Sequence, residues 1–195
     1  METQTFVFFG QGGSGKGTQV RLLINYMRSN DNKETIYGGT GEEFRKILAT
    51  DNFTAGLIKD SVDKGELQPD FLTTSLFVNI LISSLDGRKH LVVDGYPRTV
   101  GQAENFINMM EFYKRDKVKI IYIELGEAEA MKRNLLRGRA DDTEDGLKKR
   151  FAEYATKVIP AMNYLKEKAN YDILTINGEQ PIEKVQKDII KALGF

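Results

Sequence analysis

Five short runs of β-prone apolar residues punctuate the chain: Thr5–Phe9, Thr35–Tyr37, Leu91–Val93, Val118–Leu125 and Ile173–Ile176. They read as buried strands rather than as alternating surface strands. Between them the apolar spacing becomes helical. Val20, Leu23, Ile24 and Met27 fall at i, i+3, i+4 and i+7, and Ala103, Phe106, Ile107 and Met110 repeat that spacing. Leu147, Phe151, Tyr154, Val158, Met162 and Leu165 mark another buried face, and Ile182, Val185, Ile189 and Leu193 keep one near the C-terminus. Strands alternating with helices predict an α/β fold, a five-stranded parallel sheet with helices on both faces. Such sheets bind ligands at the carboxyl ends of their strands. Two segments break the alternation. Gly38–Gln68 holds two helical stretches with no strand between them, and Asn134–Asp142 is a charged, glycine-containing junction between two helices.

Composition narrows the chemistry. With 195 residues the chain suits one compact domain. Its 28 basic and 28 acidic residues balance, so any polyanion site must be built locally from clustered arginines. The absence of cysteine excludes disulfides, a thiolate nucleophile and a cysteine zinc site, and fits a reducing cytoplasm. The apolar stretch near Leu76–Leu85 is interrupted by Asn79, Ser83 and Ser84 and is too short for a bilayer. The N-terminus METQTFVFFG lacks the marks of a signal peptide.

The strongest motif follows the first run. Gly10–Thr18 reads GQGGSGKGT, the spacing of a phosphate-binding loop. Glycines let successive backbone N–H groups converge on a phosphate, the following helix presents its positive end, and Lys16 adds a full charge. Gly17 stands where most such loops carry the hydroxyl that holds Mg²⁺, and Thr18 comes one later. The second motif is Leu91–Thr99, LVVDGYPRT. It sets Asp94 at a strand end, within reach of a nucleotide-bound Mg²⁺, and presents Arg98 at the same sheet edge. Thr40 and Glu43 match a helix capping box, as do Thr99 and Gln102. Arg45 lies in the first turns of the former helix. Arg133 and Arg137 share a helix face away from the stripe Ala128, Met131, Leu135. Arg150 borders an apolar face, where a guanidinium needs an anionic partner. Asp141 and Asp142 can hold arginines or start a helix that Thr143 or Asp142 caps. The lone histidine, His90, reads as a residue at the surface or at the start of a strand.

At these residues the chain resembles the adenylate kinase family of nucleoside monophosphate kinases. The likeness runs in order through Gly10–Gln19, Thr40–Arg45, Gly65–Asp70, Asp94–Thr99 with Gln102, Gly138–Asp142 and Arg150. It implies a P-loop nucleotide-binding fold with an AMP-binding insertion at 38–68 and a minimal lid at 134–142. It implies ATP, AMP and ADP as ligands with Mg²⁺, no zinc, no nucleic acid or membrane partner, and a monomer in the cytoplasm. On that likeness Gly13, Ser14, Gly15, Lys16, Gly17 and Thr18 cradle the ATP phosphates, and Asp94 holds Mg²⁺ through water. Arg133 packs on the ATP adenine, to which Gln180 offers its backbone carbonyl. Thr40, Arg45, the backbone of Glu66, Leu67 and Gln68, then Gly95, Tyr96, Pro97, Arg98 and Gln102 hold AMP. Lys16, Arg98, Arg137, Arg139 and Arg150 are the catalytic cations, the last two also touching AMP. The sequence departs from the family at Gly12, usually proline, at Gly38-Gly39, and in the very short lid.

The chemistry is consistent with this inventory. A phosphate monoester has its second pKa near 6, so the attacking oxygen is already mostly ionised and no general base is needed. MgATP and AMP together bring about four negative charges, which the cations must offset around the moving phosphoryl. The Gln102 amide matches the amino group and ring nitrogen of adenine. The resemblance further implies that Thr40 together with Gln102 favours AMP over UMP or CMP, since similar enzymes for those substrates tend to carry alanine and asparagine there. A UMP/CMP or broad-specificity kinase on the same fold stays open, as does a catalytically weak nucleotide-binding regulator.

Overall fold

The computed structural model describes residues 2–138 and 142–195. The strands are β1 (Thr5–Phe9), β2 (Thr35–Gly39), β3 (His90–Asp94), β4 (Val118–Glu124) and β5 (Asp172–Asn177), in the order β2-β3-β1-β4-β5 with every pair parallel. The helices are α1 (Lys16–Asn30), α2 (Thr40–Leu48), α3 (Phe53–Asp63), α4 (Asp70–Ser84), α5 (Val100–Phe112), α6 (Glu127–Arg137), α7 (Glu144–Glu153), α8 (Ile159–Ala169) and α9 (Ile182–Leu193). A π-helical turn, Tyr154–Val158, joins α7 to α8. All five strands expected from the apolar runs form, within a residue or two of their bounds, but β5, at the edge of the sheet, is not a buried strand: only Ile176 of it is buried. No helix among the described residues is long and apolar enough to cross a membrane.

The central strand explains the layering. Phe6 and Phe8 of β1 point into one cluster with Val20, Leu23 and Met27 of α1 and Ile189 of α9. Val7 and Phe9 point the other way, into a cluster with Phe77 of α4, Phe106 of α5 and Leu165 of α8. Each fully buried side chain of this size contributes about 1.5–3 kcal/mol, so the unbroken apolar run of β1 is a requirement of its position. The sheet register levels the strand ends where ligands bind: Phe8 of β1 and Gly39 of β2 both pair with Asp94 of β3.

Several expectations need correction. The α6 stripe is not Ala128, Met131 and Leu135: Ala128 and Leu135 are exposed, and Ala130 with Asn134 are the buried residues. The glycine loop packs against this helix so closely that only small groups fit. A Cβ at Gly13 would lie 2.9 Å from the Ala130 carbonyl and 2.8 Å from Asn134 Nδ2. Asn134 to Arg137 therefore belong to α6, and the junction begins at Gly138, which ends the helix at φ +66°. Ile182 is exposed, because it opens α9 one turn before the buried stripe starts at Val185. His90 begins β3 as expected but is fully buried, its Nδ1 accepting from Gln4 N–H at 3.0 Å and its Nε2 donating to Asp31 Oδ2 at 3.2 Å. Thr40 does not cap α2; its hydroxyl donates instead to the Gly95 carbonyl at 3.0 Å. Thr99 does cap α5, accepting from Gln102 N–H at 3.2 Å.

Candidate active site

The glycine loop leaves β1 and turns into α1 through Gly15 in the left-handed conformation, φ +82°. No side chain caps α1 and no acid sits in its first turn, so its positive end faces the loop unscreened. Ser14 lies buried in the loop, and its hydroxyl has no partner among the described residues. A Cβ at Gly17 would meet nothing within 4 Å, so protein packing does not require a glycine there.

Asp94 is the hub of the site. Its Oδ1 accepts from the Lys16 ammonium and its Oδ2 from the Tyr37 hydroxyl at 3.3 Å. Burial alone pushes this carboxyl up. The charges of Lys16 and Arg98 and the hydrogen bonds from Lys16 and Tyr37 outweigh burial and hold it below its ordinary value. Burial and the neighbouring carboxylate push the Tyr37 phenol up, so it remains a donor. Tyr37 also explains the Gly38-Gly39 departure. Its ring occupies the space of a side chain at position 39, where a Cβ would lie 2.2 Å from Cζ, and Phe77 crowds position 38 at 3.0 Å.

Among the described residues, the Asp142 carboxylate joins the second group of cations. Asp142 Oδ2 accepts from Arg137 Nε at 3.1 Å, and Oδ1 accepts from Arg137 Nη2 at 3.0 Å and from Arg150 Nη2 at 2.7 Å. Arg137 Nη2 also donates to Asn134 Oδ1 at 2.6 Å, which ties the cluster to the helix beneath the glycine loop. Arg139 and Asp141 lie outside the described residues. A Cβ at Gly65 would lie 3.5 Å from the stem of Arg150, so the turn after α3 meets α7 beside this cluster.

On the opposite side, Gly95 turns the chain with φ +82° after β3, and Arg98 Nε donates back to the Gly95 carbonyl at 3.0 Å. Thr40 shares that acceptor, so α2 and the β3 turn meet there. Arg45 is exposed on α2, with Nη1 3.6 Å from where a Cβ at Gly41 would stand. Gln102 is buried, accepting from Arg98 N–H at 2.8 Å and donating to Asp70 Oδ1 at 2.9 Å. Tyr96 stacks on Phe77 at 4.5 Å in the core, which leaves only its backbone, with that of buried Pro97, to line a site. Glu66 is exposed and Leu67 packs on the core. Both polar atoms of the Gln68 amide are buried with no partner among the described residues. At the far edge of the sheet, Arg133 donates to Glu129 at 2.7 Å and to the Gly178 carbonyl at 2.9 Å, which sets it against the turn that carries Gln180.

The fold therefore gathers most of the residues singled out from sequence along one edge of the sheet, in two groups on either side of Lys16 and Asp94. The family model for adenylate kinase matches residues 8–170. The chain belongs to the adenylate kinase family. An adenylate kinase of Bacteroides fragilis is 32% identical over 191 residues, 96% of each chain. One from Corynebacterium diphtheriae is 31% identical over 96% of this chain and 98% of its own. Adenylate kinase 1 of a Nostoc species is 28% identical over 96% and 97%.

Three side chains that shape the site escape the motifs. Tyr37 sits in a strand run and reads as core, while Asn134 reads as the first residue of the junction between two helices. Asp70 ends a matched motif yet carries no signal of its contact with Gln102. For a divalent cation, the described residues offer no cluster of three or more acidic or histidine ligands. A single carboxylate at the strand end, Asp94, would fit Mg²⁺ that arrives already bound to nucleotide phosphates.

Proposed function

We propose that the protein transfers a phosphoryl group reversibly from MgATP to AMP, giving two ADP. The observation that carries this reading is the convergence of Lys16, Asp94 and Arg98 at the level ends of β1 and β3, with Arg137 and Arg150 gathered on Asp142. One group of contacts is a phosphate cradle; the other gives a second nucleotide its own base and phosphate partners.

In this mechanism the backbone amides of Gly13–Thr18 and the end of α1 hold the ATP phosphates. Lys16 exchanges Asp94 for the phosphates, and the freed Asp94 carboxylate would hold Mg²⁺ through water, a cation that would supply charge neutralisation between the phosphates. Thr40, Arg45, Arg98 and Gln102, with the backbone of Glu66–Gln68 and Gly95–Pro97, hold AMP. Arg133 and the Gln180 carbonyl take the ATP adenine. Arg137, Arg139 and Arg150 surround the moving phosphoryl, so catalysis is positioning plus preorganised charge. Residues 38–68 act as the acceptor-binding segment and 134–142 as a minimal lid, in a cytoplasmic monomer.

The test is ADP formation from ATP with AMP, UMP, CMP, dAMP and GMP in turn. AMP-dependent formation of two ADP per AMP is expected. Preference for a pyrimidine monophosphate, or nucleotide binding without turnover, refutes the reading.

A further inference from the structure

Gln102 is held in one orientation by two groups that cannot reverse their roles. The Arg98 backbone N–H that meets Oε1 at 2.8 Å is only a donor, and the Asp70 carboxylate that meets Nε2 at 2.9 Å is only an acceptor. Turning the amide over would set N–H against N–H at one end and oxygen against carboxylate at the other. The carboxylate is itself anchored, since Oδ2 accepts from the Thr99 hydroxyl at 2.6 Å. Thr99 in turn accepts from Gln102 N–H, so cap, carboxylate and amide close a ring of contacts between the start of α4 and the start of α5. The neighbouring position is small: a Cβ at Gly101 would lie 3.4 Å from Asp70 Oδ2.

Each end of the amide keeps one unused capacity, a second lone pair on Oε1 and a second hydrogen on Nε2. That pair has a fixed sense. It matches a base that donates from an exocyclic amino group and accepts at the adjacent ring nitrogen, as adenine does. Hypoxanthine has the same shape but the reverse pattern, a carbonyl beside a ring N–H. We infer that Asp70 is a positioning residue for base selectivity: it locks the Gln102 amide in the sense that reads adenine and rejects hypoxanthine. The inference rests on the proposed role of Gln102 at the acceptor base and names the group that enforces it. A site whose buried polar groups are left mismatched discriminates strongly between isosteres. The lock is charge-assisted, which places it among the stronger hydrogen bonds of the site.

The sharpest variant is Asp70→Asn, which keeps shape but replaces an acceptor-only group with one that can donate or accept. Asp70→Leu, which offers no polar atom at all, is the second. The measurement is kcat/KM for AMP divided by kcat/KM for IMP, with direct calorimetric binding of AMP and IMP to the ATP-free protein, KM for ATP, and thermal midpoint. The ratio is expected to fall at least tenfold in both variants, with matching changes in binding and KM for ATP within threefold of the parent. A ratio unchanged within threefold in folded Asp70→Asn overturns the inference. So does an equal loss for both nucleotides, which marks Asp70 as merely structural. Failure of the parent enzyme to use AMP is a separate result and removes the acceptor reading instead.

Discussion

Replacing Asp142 by asparagine separates the assembly of the arginine cluster from its charge. The carboxylate side chain is fully buried, whereas those of Arg137 and Arg150 are 34% and 28% exposed. Charge-assisted hydrogen bonds contribute about 1.5–3 kcal/mol when buried, and partial exposure of both guanidinium groups reduces that. A destabilisation of about 2 kcal/mol follows, or about 4–8 °C in Tm for a chain of this size. The catalytic loss should be larger than that stability change suggests. Both cations remain, but without the anion between them their mutual repulsion should shift them out of that side-by-side arrangement. Losing one preorganised donor costs about 10²–10³ in kcat, so misplacing two without deleting either should cost about 10–100-fold. The assay is steady-state ADP formation at saturating nucleotide, with Tm by calorimetry. Asp142→Asn should cost much less in an Arg150→Ala background, because the carboxylate acts through the arginines. Full kcat in the folded single variant, or simple additivity in the double variant, refutes the argument.

Other outcomes follow from the same geometry. Arg98→Ala and Arg150→Ala should each lower kcat by about two orders of magnitude or more in the same assay, and near-normal turnover refutes that assignment. Gly39→Ala should destabilise by about 1–3 kcal/mol, because the added Cβ falls on the Tyr37 ring, and chemical unfolding should show most of the cost removed when Tyr37→Ala is added. Burial lowers the His90 pKa, while hydrogen bonds to Lys33 and His90 outweigh burial at Asp31 and hold it at about 2. Both folded values lie below the unfolded ones, so the stabilisation is complete above about pH 6.5 and is lost as pH falls, first through His90 and then through Asp31. Urea midpoints measured from pH 7.5 to 5 should fall more steeply in the parent than in His90→Gln, and parallel profiles refute the coupling.

The strands were readable because a parallel strand covered on both faces has to be apolar at nearly every position, a local property. The glycine loop was readable for a similar reason: converging backbone amides need small residues at fixed spacing. Tyr37 looked like core because its strand neighbours are core. Its role depends on the β2–β3 register that pairs Gly39 with Asp94. Thr40 looked like a helix cap because the alternative acceptor, the Gly95 carbonyl, lies 55 residues away in sequence. Arg115 shows the converse. It is buried as deeply as a site residue, but it binds the carbonyls of Gln4, Asp86 and Lys89 at the opposite ends of the strands and is structural.

Ordered motifs in one chain were enough to identify the fold, the family resemblance and the residue types at the reacting end of the sheet. Periodicity and loop chemistry are written in neighbouring residues, and no partner from elsewhere is needed to read them. Folding settled which polar groups satisfy one another: Lys16 and Tyr37 on Asp94, two arginines on Asp142, and Asp70 on Gln102. Each of these groups had several partners within chemical reason in the sequence, and the packing of strands and helices chose among them.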